Sequence, residues 1–130
     1  KKLNQREKFV AYGTGKPLRQ FLYARDLAEI LLRLLIADEC KKEMKSGNII
    51  CCNDEYTVQE VVEKLGEAMG ISREDILFDA SRSDGCMRKT VTNAKFRKMF
   101  PDFEFTDFSA GIKDTYKWFQ KADAEGTLRI

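Results

Sequence analysis

Two stretches of this sequence carry side chains suited to holding an anion. The first is "AYGTGKPLRQFLYARDLA", residues 11–28, in which Arg19 follows two glycines and a proline and precedes an apolar run. The second is "ASRSDGCMRK", residues 80–89, which gathers Arg82, Asp84, Arg88 and Lys89 around a glycine. Guanidinium groups bind phosphate oxygens bidentately, while a carboxylate accepts hydrogen bonds from sugar hydroxyls or from a guanine edge. Two such clusters, each beside a strand end, suit a ligand carrying a diphosphate. Spacing alone is met as readily by ordinary solvated surface loops.

Other chemistry fails on position. "GTGK" lacks the glycine that a phosphate loop needs at Val10 and the Ser or Thr it needs at Pro17. The dinucleotide fingerprint G-x-G-x-x-G would put its third glycine at Leu18. Tyr12 and Lys16 have Y-x-x-x-K spacing, but Gly13, Gly15 and Pro17 forbid the helical turn that would align them. The chain has no histidine and therefore lacks the commonest general base. A G-x-S-x-G nucleophile elbow is also missing. Of the four cysteines, Cys40, Cys51, Cys52 and Cys86, no two form a C-x-x-C pair. A zinc site would need all four, two of them adjacent in one extended stretch and pointing apart. Reduced, buried thiols in a cytoplasmic protein are the expectation.

The elements that must position these residues are legible in outline. "KFVAYG", 8–13, reads as a strand ending at a glycine turn, and "FLYA", 21–24, as a second extended piece. Asp26 is placed to cap a helix over 27–44, whose apolar residues at 27, 30, 31 and 34 share one face. "KSGN" ends that helix, with Gly47 free to turn left-handed. "NIICCN", 48–53, predicts a strand buried on both faces. Thr57 and Glu60 form a capping box opening a helix with Val58, Val61, Val62, Leu65 and Met69 inward, closed by Gly70. "ILFDA", 76–80, is a third strand, and a short helix follows near 92–99, with Thr92 able to cap it. A last helix spans about Asp107 to Lys121, with Phe108, Ile112, Tyr116 and Phe119 as a packing stripe and Trp118 at a core edge. The pattern is α/β: one unit of 130 residues, with about four helices over short strands.

Composition bounds the function. Lysine and arginine number 23 against 21 acids with the signs mixed, so no basic face marks a nucleic-acid partner. The best basic run, "KFRK" at 95–98, reads as a solvated helix face. The longest apolar run, "ILLRLLIA", is interrupted by Arg33 and too short to cross a membrane. The first residue is Lys1, so the chain is expected to be processed or to be a piece of something longer.

"YGTGKPLRQFLYARDLA", "FDASRSDGCMRKT", "FPDFEFTDF" and "GIKDTYKWF" together resemble the substrate-binding portion of extended short-chain dehydrogenases/reductases acting on nucleotide sugars. The likeness runs from residue 12 to residue 119. It implies the small C-terminal substrate-binding domain of that fold, without its Rossmann domain. Carried over by position, it makes Tyr12, Arg19 and Asp84 substrate contacts, and Arg88 or Lys89 a diphosphate contact. Tyr12 stands where an aromatic residue, commonly Trp, precedes the glycine turn. The resemblance further implies a GDP-sugar substrate, NADPH bound by the absent N-terminal domain, and a homodimer for the full-length protein. The family's catalytic Ser, Tyr and Lys and its epimerising Cys and His lie outside this chain, and Cys86 is in the wrong region to be that cysteine. The 130 residues alone are therefore expected to be inactive. The alternative is a non-catalytic nucleotide-sugar-binding or protein-interaction module on the same fold.

Overall fold

The computed structural model describes residues 8–38, 41, 45, 47, 49–52 and 54–128. Strand β1 (Phe9–Tyr12) pairs in parallel with β4 (Ile76–Asp79), Phe9 beside Ile76 and Tyr12 beside Asp79. Strand β2 (Leu18–Gln20) pairs antiparallel with β3 (Glu55–Thr57), Arg19 opposite Tyr56. The α-helices described along their whole length are α1 (Ala24–Ile36), α2 (Val58–Met69), α3 (Ala94–Met99) and α4 (Phe108–Ala124). A 3-10 turn, Arg73–Asp75, leads into β4.

Local signals decide the best-formed elements. In α2 the Thr57 side chain accepts from the Glu60 amide at 3.1 Å and Glu60 accepts from the Thr57 amide at 2.7 Å, closing both halves of the capping box. Gly70 ends the helix at φ 70°, a left-handed conformation that disfavours a side chain. Helix α4 opens on Asp107, which accepts from the Ala110 amide at 2.9 Å.

The core gathers Ile30 and Leu34 of α1, Phe96 of α3 and Phe103, with Leu22, Ile49, Cys51, Met99, Phe100 and Phe105 packed against it. Helix α2 packs separately on α4, where Lys64 donates to Ser109 at 2.9 Å. No helix among the described residues is long and apolar enough to cross a membrane.

Several expectations need correction. The second strand lies at 18–20, before "FLYA", because Leu18–Gln20 finds a strand partner in β3 whereas Leu22 turns into the core. Tyr23, not Asp26, holds the N-cap position of α1, with no side-chain capping bond; Asp26 sits in the first turn, buried, accepting from the Thr106 amide at 2.9 Å and hydroxyl at 2.6 Å. Helix α1 stops at Ile36, before 44, although Lys41 and Lys45 are again helical; Gly47 takes the positive φ expected of it, 118°. Residues 49–52 form no strand, since no neighbouring strand pairs with them and Ile49 and Cys51 pack sideways against the core. Cys40, Asn48 and Asn53 lie outside the described residues.

Asn93 rather than Thr92 precedes α3, though Thr92 accepts from the Ala94 amide at 3.3 Å. "KFRK" is only partly solvated. Phe96 is fully buried, and Arg97 donates to the Phe103 carbonyl at 2.6 Å while lying over the Phe105 ring. Trp118 is exposed rather than covering a core edge.

Candidate functional site

The two polar clusters are stitched together along their length. Gly13 donates its amide to the Asp79 carbonyl at 3.0 Å, and Leu18 donates to the Met87 carbonyl at 2.8 Å, forming a parallel bridge with Arg88. At the far end, Gln20 exchanges bonds with the Val91 backbone, donating at 3.1 Å and accepting at 2.8 Å. Residues 79–91 thus run beside residues 12–20.

Helix α2 clamps the same turn from the other side. Gln59 donates its amide to the Gly15 carbonyl at 2.8 Å and Val58 to the Pro17 carbonyl at 2.9 Å. These carbonyls satisfy amides that a helix start leaves unpaired.

Asp84 is the keystone. One carboxylate oxygen accepts from the Thr14 amide at 2.6 Å and the other from the Thr14 hydroxyl at 2.7 Å. Hydrogen bonds from that hydroxyl, then from that amide, hold the Asp84 carboxyl below the usual aspartate value of 3.8. A depressed acid stabilises the fold above its unfolded value, and the contribution is lost as pH falls through the lower folded value. The acid-sensitive window of this clasp therefore lies below about pH 4. Replacing Thr14 by valine should raise the Asp84 midpoint toward the ordinary value in a carboxyl NMR titration. An unchanged midpoint would show that the hydroxyl does not hold it.

The other candidates are placed as follows. Tyr12 ends β1 with its ring exposed and the Arg82 guanidinium over it, 5.3 Å from the centroid. Arg19 extends from β2 on the side of Tyr56, and its Nη1 donates to the Leu18 carbonyl at 2.7 Å. No hydrogen bond or ion pair joins Arg19 to Asp84 among the described residues. Arg88 is held by Glu55 through Nε at 3.0 Å and Nη2 at 2.9 Å, with Thr90 also accepting from its Nε. Lys89 is exposed, with no ion-pair partner among the described residues. The structure thus brings Tyr12, Asp84 and the backbone beside Arg19 into one strip. Sequence reasoning missed Thr14 and Glu55, the partners of Asp84 and Arg88, and gave Arg82 of the same cluster no role of its own.

A separate groove of about 1280 Å³ opens between the start of α1 and α4, floored by the Tyr56 ring stacked on Phe108 at 4.0 Å. None of the five candidates lines it. Its polar pair, Asp26 and Thr106, bond each other, and its guanidinium, Arg97, is already engaged. It therefore offers no free cation for a phosphate.

The glycine turn is packed closely against neighbouring side chains. A Cβ on Gly13 would lie 2.5 Å from Asp84 Oδ1, and one on Gly15 would lie 2.8 Å from the Phe78 ring. The space beside these glycines is filled by protein.

Comparison with known proteins identifies relatives of this chain. Residues 1–49 match the NAD dependent epimerase/dehydratase family. The chain is 36% identical over 113 residues to a probable GDP-L-fucose synthase of Drosophila melanogaster, covering 85% of this chain and 34% of that protein. It is 37% identical over 109 residues to the GDP-L-fucose synthase of Dictyostelium discoideum, covering 82% of this chain and 32% of that one. A crystal structure of a GDP-L-fucose synthetase from Naegleria fowleri bound to NADP superposes with a TM-score of 0.78 at 35% identity, covering 88% of this chain and 35% of that chain. This chain spans about a third of the length of the curated relatives it matches. The chain belongs to the extended short-chain dehydrogenase/reductase family, in the portion it shares with GDP-L-fucose synthases.

Proposed function

We propose that this chain is the nucleotide-sugar-binding part of a GDP-L-fucose synthase, a cytoplasmic homodimeric enzyme. The whole enzyme would epimerise GDP-4-keto-6-deoxy-D-mannose at carbons 3 and 5 and reduce the ketone at carbon 4 with NADPH. This portion contributes positioning, because holding a substrate in one orientation removes the entropy that a bimolecular encounter must lose.

One observation carries the reading: residues 12–20 and 79–91 are bound edge to edge, so cations and a carboxylate distant in sequence share one strip. In this reading the Tyr12 ring lies against the ligand and Arg19 takes a phosphate. Asp84, held in place by Thr14, accepts from the base or a sugar hydroxyl through its remaining lone pairs. Lys89 is the better second cation. Glu55 already neutralises Arg88, and the alternation of an extended chain turns Lys89 away from Arg88, toward the side of Arg19.

Calorimetry on the full-length protein tests this with GDP-sugar against UDP-sugar. Binding should favour the guanine nucleotide, and Arg19→Ala should weaken it by ~1.5–3 kcal/mol, the scale of hydrogen bonds to a charged group. Equal affinity for both nucleotides, or an unchanged dissociation constant in the variant, would remove the assignment.

A further inference from the structure

Arg82 has no task in the reading above, yet the fold aims it. Asp79, the last residue of β4, lies beside Tyr12 in the parallel register. Its Oδ1 accepts from the Ser81 amide at 3.1 Å and the Ser81 hydroxyl at 2.5 Å, and its carbonyl accepts from the Arg82 amide at 3.1 Å. These bonds close a turn immediately after the strand and set the Arg82 backbone level with Tyr12. The side chain then reaches over the ring, with Cζ 5.3 Å from the centroid.

What holds the guanidinium there is weak. Its nearest carboxylate oxygen is Asp79 Oδ2, 3.7 Å from Nε, beyond hydrogen-bond length. No side-chain hydrogen bond links Arg82 to any described residue, and its side chain is 65% exposed. The acid two residues on, Asp84, makes no ion pair with it among the described residues; its two oxygens each accept from Thr14 instead. A planar cation with its donors free, stacked over an exposed aromatic ring, is poised for an anion that meets that ring.

We propose that Arg82 is a further ligand-binding residue of this site, its guanidinium taking a phosphate of a nucleoside diphosphate that lies against Tyr12. The proposal rests on the assignment of Tyr12 to the ligand, and the test separates the two.

GDP and guanosine are titrated into the full-length protein and into its Arg82→Ala, Arg82→Lys and Arg19→Ala variants. Arg82→Ala should bind GDP about tenfold more weakly, with a shallower dependence on salt, and Arg82→Lys should recover part of the loss. Guanosine, which has no phosphate, should bind Arg82→Ala as it binds the unaltered protein. Unchanged GDP affinity in Arg82→Ala overturns the proposal; if Arg19→Ala is still weakened, the site itself stands. Equal losses for GDP and guanosine would make Arg82 a support for the Tyr12 ring and would also overturn it. Unchanged GDP affinity in both variants would remove the site and the proposal together.

Discussion

Replacing Phe96 by alanine should lower the stability of this chain by about 3–5 kcal/mol, the range for emptying a buried aromatic site. Phe96 is fully buried, and its ring meets Phe100 at 5.5 Å, Phe103 edge-on at 5.4 Å and Phe105 at 5.6 Å. Phe103 and Phe105 also pack edge-on at 5.0 Å, so the cluster is braced from both sides. Removing its central ring leaves a void that Ile30 and Leu34, fixed on α1, cannot fill without moving the helix. Phe96→Leu should cost much less, because most of the volume stays. Urea denaturation followed by far-ultraviolet circular dichroism measures the difference; Trp118 is exposed and reports poorly on this core. A loss below about 1 kcal/mol would mean the site collapses freely and the cluster is not the centre of the fold. Because the polar strip of residues 12–20 and 79–91 is built by other contacts, GDP binding should survive Phe96→Leu.

Elements whose cause is local were readable from the sequence. The Thr57–Glu60 box, the Gly70 terminus and the helix starting near Asp107 need only residues a few positions apart, and each formed as its spacing implied. Strands β1 and β4 were also readable, as short apolar runs ended by turn residues. Failures came where a distant partner decides. Asp26 has the chemistry of a cap, but Thr106, 80 positions away, takes its carboxylate into the interior. "NIICCN" has the composition of a buried strand, but a strand needs an edge to pair with, and residues 49–52 pair with no strand among the described residues.

The site divides the same way. That Arg19 and Asp84 carry suitable groups is a property of residue type, visible in the string. That Asp84 grips Thr14, 70 positions away, and Glu55 grips Arg88, 33 positions away, is a property of the folded chain. These pairings change the chemistry. They fix Asp84 in place, and they tie Arg88 to Glu55.

Replacing Gly15 by alanine should be costly for both fold and site. Gly15 has φ 76°, and a left-handed conformation costs a residue with a side chain about 1–2 kcal/mol. The new Cβ would also lie 2.8 Å from the Phe78 ring and 3.0 Å from Gln59 Cβ, one neighbour from β4 and one from α2. Neither contact is the loose end of a flexible chain, and overpacking of this kind adds about 1–3 kcal/mol. The total, about 2–5 kcal/mol, has a built-in reference in Gly70, which has φ 70° but open space where its Cβ would go. Gly70→Ala should therefore show the backbone part alone, about 1–2 kcal/mol. The two variants also part at the site. Gly15 sits between Thr14 and the residues that Helix α2 clamps, so crowding there shifts the Asp84 partner and weakens GDP binding, whereas Gly70→Ala leaves binding intact. Equal destabilisation in the two variants would show that the turn yields without strain. GDP affinity unchanged by Gly15→Ala would detach the glycine turn from the ligand.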